Sequence, residues 1–129
     1  MRTIEFRGKD IISGKFVYGD LIHGVGSKHD KMFILPTVVN LAGIENCHPL
    51  DGVEVDPETV GQFTGLLDKN GKEIFECDII EEGFVYFDNF YLGFFIKGDF
   101  VEGEHEPLFD IPLPKIIGNI FDNPELLKN

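Results

Sequence analysis

Cysteine, serine, basic charge and long apolar runs are all scarce in this chain of 129 residues, and each shortage removes a class of chemistry. Cys47 and Cys77 stand far apart and match no paired metal-ligand spacing. As free thiols they suit a reducing compartment, with Cys77 expected inside a strand. Ser13 and Ser27 are the only serines, and neither sits in a nucleophile-elbow pattern. The longest apolar runs fall well short of a membrane span, and Met1-Arg2-Thr3-Ile4-Glu5 lacks the apolar stretch of a signal peptide. A cytoplasmic protein without membrane contact is expected.

Basic residues are outnumbered unevenly. Residues 1–56 hold six Lys/Arg against eight Asp/Glu, and residues 57–129 hold five against fifteen, within a net charge of −12. Such a field repels phosphate backbones, so no direct nucleic-acid binding is expected. The acidity either keeps an aromatic-rich chain soluble or imitates nucleic acid to occupy a basic host protein.

What is present is ordinary core-forming material, 43% hydrophobic, arranged with a repeat. Phe6-Arg7-Gly8 precedes Gly14-Lys15, Phe16 and Gly19-Asp20-Leu21-Ile22; Phe63-Thr64-Gly65 precedes Gly71-Lys72, Phe75 and Cys77-Asp78-Ile79-Ile80. Two related β-rich units are implied. Residues 15–22 and Lys31 to Val39 carry strand-forming side chains, the second interrupted by Pro36, which places it at an edge or a bend. Asp56-Pro57-Glu58 predicts a helix start, ended within about two turns by Gly61 and Gly65. Asp68-Lys69-Asn70-Gly71 predicts a tight turn, and Asn123-Pro124 a second short helix.

The segment from Phe84 to Ile96 is the most informative. A two-residue turn at Asp88-Asn89 predicts pairs Phe87–Phe90, Tyr86–Tyr91, Val85–Leu92 and Phe84–Gly93. One face then carries Val85, Phe87, Phe90, Leu92, Phe94 and Ile96, and the other Phe84, Tyr86, Tyr91 and Phe95. Neither is polar, so both need cover. The tyrosine-bearing face suits a half-wet contact, which makes Phe84, Tyr86, Tyr91 and Phe95 a candidate interface.

Reactive constellations are thin. Gly8…Gly14-Lys15 and Gly65…Gly71-Lys72 nearly match a phosphate-binding loop, but each has one residue too many, with Phe16 and Glu73 where a hydroxyl belongs, so both read as hairpin turns. Asp20 and Asp78 could share a proton across two lobes; a turn-capping role fits their flanking Leu21-Ile22 and Ile79-Ile80 better. His23, His29, His48 and His105 show no helical ligand spacing, although Cys47-His48 is an adjacent ligand-capable pair. Glu102, Glu104 and Glu106 alternate around His105 as a solvated tip or a weak cation site.

Phe6-Arg7-Gly8-Lys9, Tyr18-Gly19-Asp20, Val55 to Leu66, Asp68 to Ile80 and Ile117 to Leu127 together resemble the YopX family of phage and prophage proteins. The likeness runs over most of the chain, leaving 24–54 and 81–115 free to vary. Cys77 stands where the family usually has glycine, and Phe16 where tryptophan is common; both look like packing variations. The resemblance implies a small, mostly β protein encoded by a mobile element, and it carries over no catalytic or binding residue.

The expected fold is mainly β with short helices in two small lobes. Residues 1–54 form an N-terminal β lobe, 55–65 a bridging helix segment, and 66–129 a partly open, SH3-like barrel with a short C-terminal helix, the whole making one compact domain. That barrel takes strands near 76–81, 83–87, 90–96, 108–111 and 116–121, with 98–107 as an exposed acidic loop. The expected function is a non-enzymatic interaction or regulatory protein, acting on a protein partner or by self-association as a homo-oligomer. The acidic decoy is one alternative, and a hydrolase or metal-dependent enzyme using Asp20, Asp78 or loop histidines is another. No catalytic residue, cofactor or metal site is assigned.

Overall fold

Backbone pairing in this chain is antiparallel throughout the described residues, and no helix there exceeds four residues. The computed structural model describes residues 1–37, 52–98 and 106–127. The mainly β expectation holds. The chain divides into two units, Met1–Gln62 and Phe63–Asn129. No helix among the described residues is long and apolar enough to cross a membrane.

In the first unit β1 (Phe6–Lys9), β2 (Phe16–His23), β3 (Met32–Pro36), β4 (Val53–Val55) and the start of β5 (Gly61–Leu67) lie in the order β4-β3-β2-β1-β5. Alternation along β2 buries Val17 and exposes Tyr18 and Asp20. Val17, Ile34, Val53 and Val55 form the core, with Phe6, Leu21, Met32 and Val60 against it. Gly19 is forced by close approach: a Cβ there would sit 2.0 Å from the Leu35 carbonyl oxygen. Pro36 does not put β3 at an edge, because β3 lies between β2 and β4. It ends the strand opposite Gly19, and the Thr37 amide bonds the Tyr18 carbonyl instead. The missing N–H therefore falls on the side facing away from β2, beyond the Ile34–Val53 pair.

The segment 55–65 is not a helix. Asp56 caps as expected, its Oδ1 accepting from the Glu58 amide at 3.1 Å, but only one 3-10 turn (Pro57–Thr59) follows. The Thr59 hydroxyl donates to the Asp56 carbonyl at 2.7 Å and accepts from the Lys9 amide at 2.8 Å, which ties the turn to β1. Gly61 then pairs with Arg7 and opens β5. Strand pairing outcompetes two weak helical turns interrupted by glycine.

In the second unit the rest of β5 pairs with β6 (Glu73–Phe75). A five-stranded sheet follows from β7 (Asp78–Ile80), β8 (Gly83–Asp88), β9 (Gly93–Lys97), β10 (Glu106–Pro107) and β11 (Ile116–Asn119), ordered β10-β9-β8-β7-β11. Strands β10 and β11 are its two edges, so the sheet is open and not closed into a barrel. Ile74, Ile80, Val85, Ile96, Leu108 and Ile111 make the core, with Phe94 and Ile116 packed on it. The strand expected at 108–111 is a 3-10 turn (Leu108–Asp110), because Pro107 and Pro112 flank it and supply no ladder donors. Of the acidic loop 98–107, residues 99–105 lie outside the described residues, and Glu106 and Pro107 pair with Ile96 and Phe95. The short element after Asn123 is a 3-10 turn, Pro124–Leu127.

The repeat is a repeated hairpin. In each copy an aspartate closes the turn: the Asp10 amide donates to the Lys15 carbonyl at 2.9 Å, and the Asp68 amide to the Lys72 carbonyl at 2.7 Å. Asp10 Oδ1 accepts from the Ile12 amide, and Asp68 Oδ1 from the Asn70 and Lys72 amides. Gly14 and Gly71 both take positive φ, 73° and 84°, as these turns require. The copies part afterwards. β2 runs straight through Gly19-Asp20, whereas Cys77 is a turn residue with φ 72° whose amide still donates to the Val85 carbonyl at 2.8 Å. Cys77 is thus not within a strand, and its departure from the resemblance's glycine bears on backbone conformation, not packing.

Asp68 does more than close its turn. Its Oδ2 accepts from the Ile116 amide at 3.2 Å, and the Lys69 amide donates to the Pro114 carbonyl at 2.8 Å, so the hairpin is fastened to the approach of β11. Burial pushes the Asp68 carboxyl up, but amide bonds from Lys72, Ile116 and Asn70, with the Lys72 charge, outweigh it and hold the group below the ordinary carboxylate range. A carboxylate held below its unfolded value of about 3.9 contributes fully above that pH, and the contribution is lost as pH falls through the folded value. Unfolding free energy measured in urea across acid pH should therefore drop below about pH 4. Asp68→Asn should be less stable at neutral pH and show a shallower drop; a curve merely parallel to the parent's would remove Asp68 from the acid response. Cys77→Gly, by relieving an L-residue held at positive φ, should raise stability by about 0.5–1 kcal/mol in the same assay, and a loss would contradict the backbone explanation.

Candidate functional site

The aromatic ribbon folds with a register different from the one its sequence suggests. Observed partners are Phe84–Lys97, Val85–Ile96, Tyr86–Phe95, Phe87–Phe94 and Asp88–Gly93, so each residue of β8 pairs four positions later than expected. The cause is Asp88. Its Oδ1 accepts from the Phe90 amide at 2.8 Å and the Tyr91 amide at 3.0 Å, turning Asn89 to Leu92 into a longer reversal. Leu92 takes φ 55° to rejoin the ladder. Phe90, Tyr91 and Leu92 thereby leave the strand pair.

Because the shift is even, face membership survives for every residue that stays in the ladder. Val85 and Ile96, both fully buried, face the core, and Phe87 meets Phe94 edge-on at 5.4 Å on the same side. On the opposite side Phe84 and Tyr86 pack at 6.2 Å, and Tyr86 and Phe95 at 6.4 Å. The loop extends this row: Tyr91 lies 5.4 Å from Phe95, and Phe90 stands edge-on to Tyr91 at 4.9 Å. The Tyr86 hydroxyl donates to Asp88 Oδ2 at 3.4 Å. Of the four candidate interface residues, Phe95 is buried, Phe84 and Tyr86 are half-buried, and Tyr91 is exposed. Complete cover on both faces does not occur. On one face Val85 and Ile96 lie in the core while Phe87 is exposed, and the other face runs from buried Phe95 to open Tyr91.

Phe84 belongs to a second feature on that side. With Ile79, Ile117, Leu126 and Leu127 it walls a cleft of about 190 Å³. Ile117 is the extra residue of a bulge, since Ile116 pairs with Ile80 but Gly118 with Ile79. The Leu126-Leu127 pair after the predicted helix start was the available signal for this cleft. Its role depends on the turn that Asn119 closes, where Oδ1 accepts from the Phe121 and Asp122 amides.

The other candidate residues are dispersed or already engaged. Asp78 is buried and accepts from the Phe75 amide at 2.8 Å, the turn-capping role expected of it. Asp20 lies mid-strand in β2, exposed and opposite Leu35, which is not a capping position. His23 Nε2 is 3.1 Å from the His29 carbonyl, and His29 Nδ1 is 3.1 Å from the Gly26 carbonyl, so both rings brace the β2–β3 connection. Cys47, His48, Glu102, Glu104 and His105 lie outside the described residues. Among the described residues no group of three or more His, Cys, Asp or Glu side chains is gathered as a metal ion would need. Both near-phosphate-loops are hairpin turns.

Two antiparallel sheet units, short 3-10 turns and an aromatic ribbon open at one end define a small, mainly β protein with a candidate contact face. The family model described as YopX protein matches residues 5–128, nearly the whole chain, and the chain belongs to the YopX family. Comparison with curated proteins gives no match.

Asp88→Ala should cost about 1–2 kcal/mol in chemical denaturation by freeing two loop amides. It should also raise the backbone mobility of residues 89–92 in nitrogen relaxation. Unchanged loop dynamics would mean that something other than the Asp88 carboxylate sets the register.

Proposed function

We propose that this YopX-family chain is a non-enzymatic interaction protein, and that the row of rings on β8, β9 and their connecting loop is its contact surface. The observation behind this reading is the gradient along the row: Phe95 is 9% exposed, while Tyr91 and Phe90, packed on it in turn, are 66% and 84% exposed. A buried anchor continuous with open rings suits a protein contact, because the anchor fixes geometry and the open rings lose water on docking. Leu92, 75% exposed, widens the same loop surface. The tyrosine hydroxyl keeps the surface wettable while it is free.

The partner on this reading is a protein, either a second copy forming a homo-oligomer or a cytoplasmic host protein met in a phage or prophage setting. The acidic C-terminal half keeps nucleic acid away. A photo-cross-linking residue at position 91 should trap a discrete protein adduct in host cells. The same probe at Val25, in the first unit and also open to solvent, should not. An adduct of doubled mass identifies self-association. Equal trapping at both positions, or none at position 91, would overturn the proposal.

A further inference from the structure

The cleft beside the ring row has a chemistry of its own. Ile79, Phe84, Ile117, Leu126 and Leu127 make its apolar walls, and its volume is about 190 Å³. Glu82 also lines it, and Glu82 Oε1 is enclosed with no hydrogen-bond partner. A carboxylate oxygen removed from water without a donor is anomalous in a folded protein and calls for one. Glu81 adds a second carboxylate at the cleft, against the single ammonium of Lys97. The half of the chain that contains it carries fifteen Asp/Glu and five Lys/Arg.

We infer that this cleft receives a basic, aliphatic segment of a protein partner, a deepening that rests on the interaction reading above. An aliphatic side chain of the segment enters between Phe84, Ile117 and Leu126. An adjacent lysine or arginine pairs with the carboxylates of Glu81 and Glu82 at the cleft, whose charge the single Lys97 ammonium only half offsets. The surrounding negative field speeds encounter with such a segment and disfavours acidic ones. Phe84 joins the two surfaces, so a partner on the ring row can place its basic segment in the cleft.

The test is a set of short capped peptides with Leu-Lys-Leu, Leu-Arg-Leu, Leu-Gln-Leu or Leu-Glu-Leu at the centre, titrated to millimolar concentration against the full chain by NMR. The lysine and arginine peptides should shift the amide resonances of Glu82, Phe84 and Ile117, and the glutamine and glutamate peptides should bind at least about tenfold more weakly. Glu82→Gln should erase that discrimination while leaving residual binding. Leu126→Ala, at a 44% exposed position, should weaken every peptide alike and keep the ranking. Equal binding of all peptides, ranking unchanged by Glu82→Gln, or no shift at these resonances overturns the inference. An adduct at position 91 with charge-blind peptides sinks the cleft proposal alone; absence of that adduct sinks the interaction reading itself.

Discussion

Aspartate carboxylates that accept main-chain N–H groups are the constraint on which this fold turns. Asp10, Asp56, Asp68, Asp78 and Asp88 each hold a chain reversal in this way. A chain with strands this short reverses often, and every reversal leaves amide donors that no ladder satisfies. Carboxylates are strong acceptors for them and need no partner of opposite charge. Part of the acidity is therefore architectural. Asp68 and Asp78, at 6% and 3% exposure, are turned inward and contribute little to a phosphate-like surface.

Asp88 connects this constraint to the candidate surface. Without its two amide bonds, Asp88-Asn89 is a plausible two-residue turn, and Phe90 and Tyr91 would pair with Phe87 and Tyr86 inside the ladder. With them, the reversal lengthens, and two aromatic rings are lifted out over Phe95. A single carboxylate thus decides whether those rings are sheet or loop. The same oxygen pair accepts from the Tyr86 hydroxyl, so one group sets both the loop and a ring on the adjoining strand.

The balance between what was legible in the sequence and what was not follows the same physics. Side-chain alternation depends on parity, which is why Val85, Phe87, Phe94 and Ile96 were correctly grouped although their pairing was four positions off. The doubled Gly-Lys turns were legible because glycine at positive φ leaves a composition signature. Register was not, since an aspartate before a turn signals equally well a two-residue reversal and a longer, side-chain-bridged one. The helix start at Asp56 was real, but its extent was decided by Thr59 bonding Lys9, fifty residues away. Cys77 misled for the opposite reason: its apolar neighbours read as strand, while its own backbone sits where glycine belongs. The Ile117–Leu126–Leu127 cleft depended on contacts between segments that no local pattern joins.

The proposed contact surface would have a thermodynamic advantage over a flexible loop. Phe84, Tyr86, Phe95, Tyr91 and Phe90 touch in sequence, so each ring restricts the next before any partner arrives. Rings ordered in the free protein lose little rotamer freedom on docking, whereas free loop side chains would cost about 0.5–1.5 kcal/mol each. The ordering has its own cost, visible in Leu92 at φ 55° and in Phe90 at 84% exposure. A fold selected only for stability would bury Phe90 or replace it and place glycine at position 92. Leu92 at positive φ and Phe90 in the open, both beside the Asp88 carboxylate that holds the loop, are the features that the proposed contact would account for.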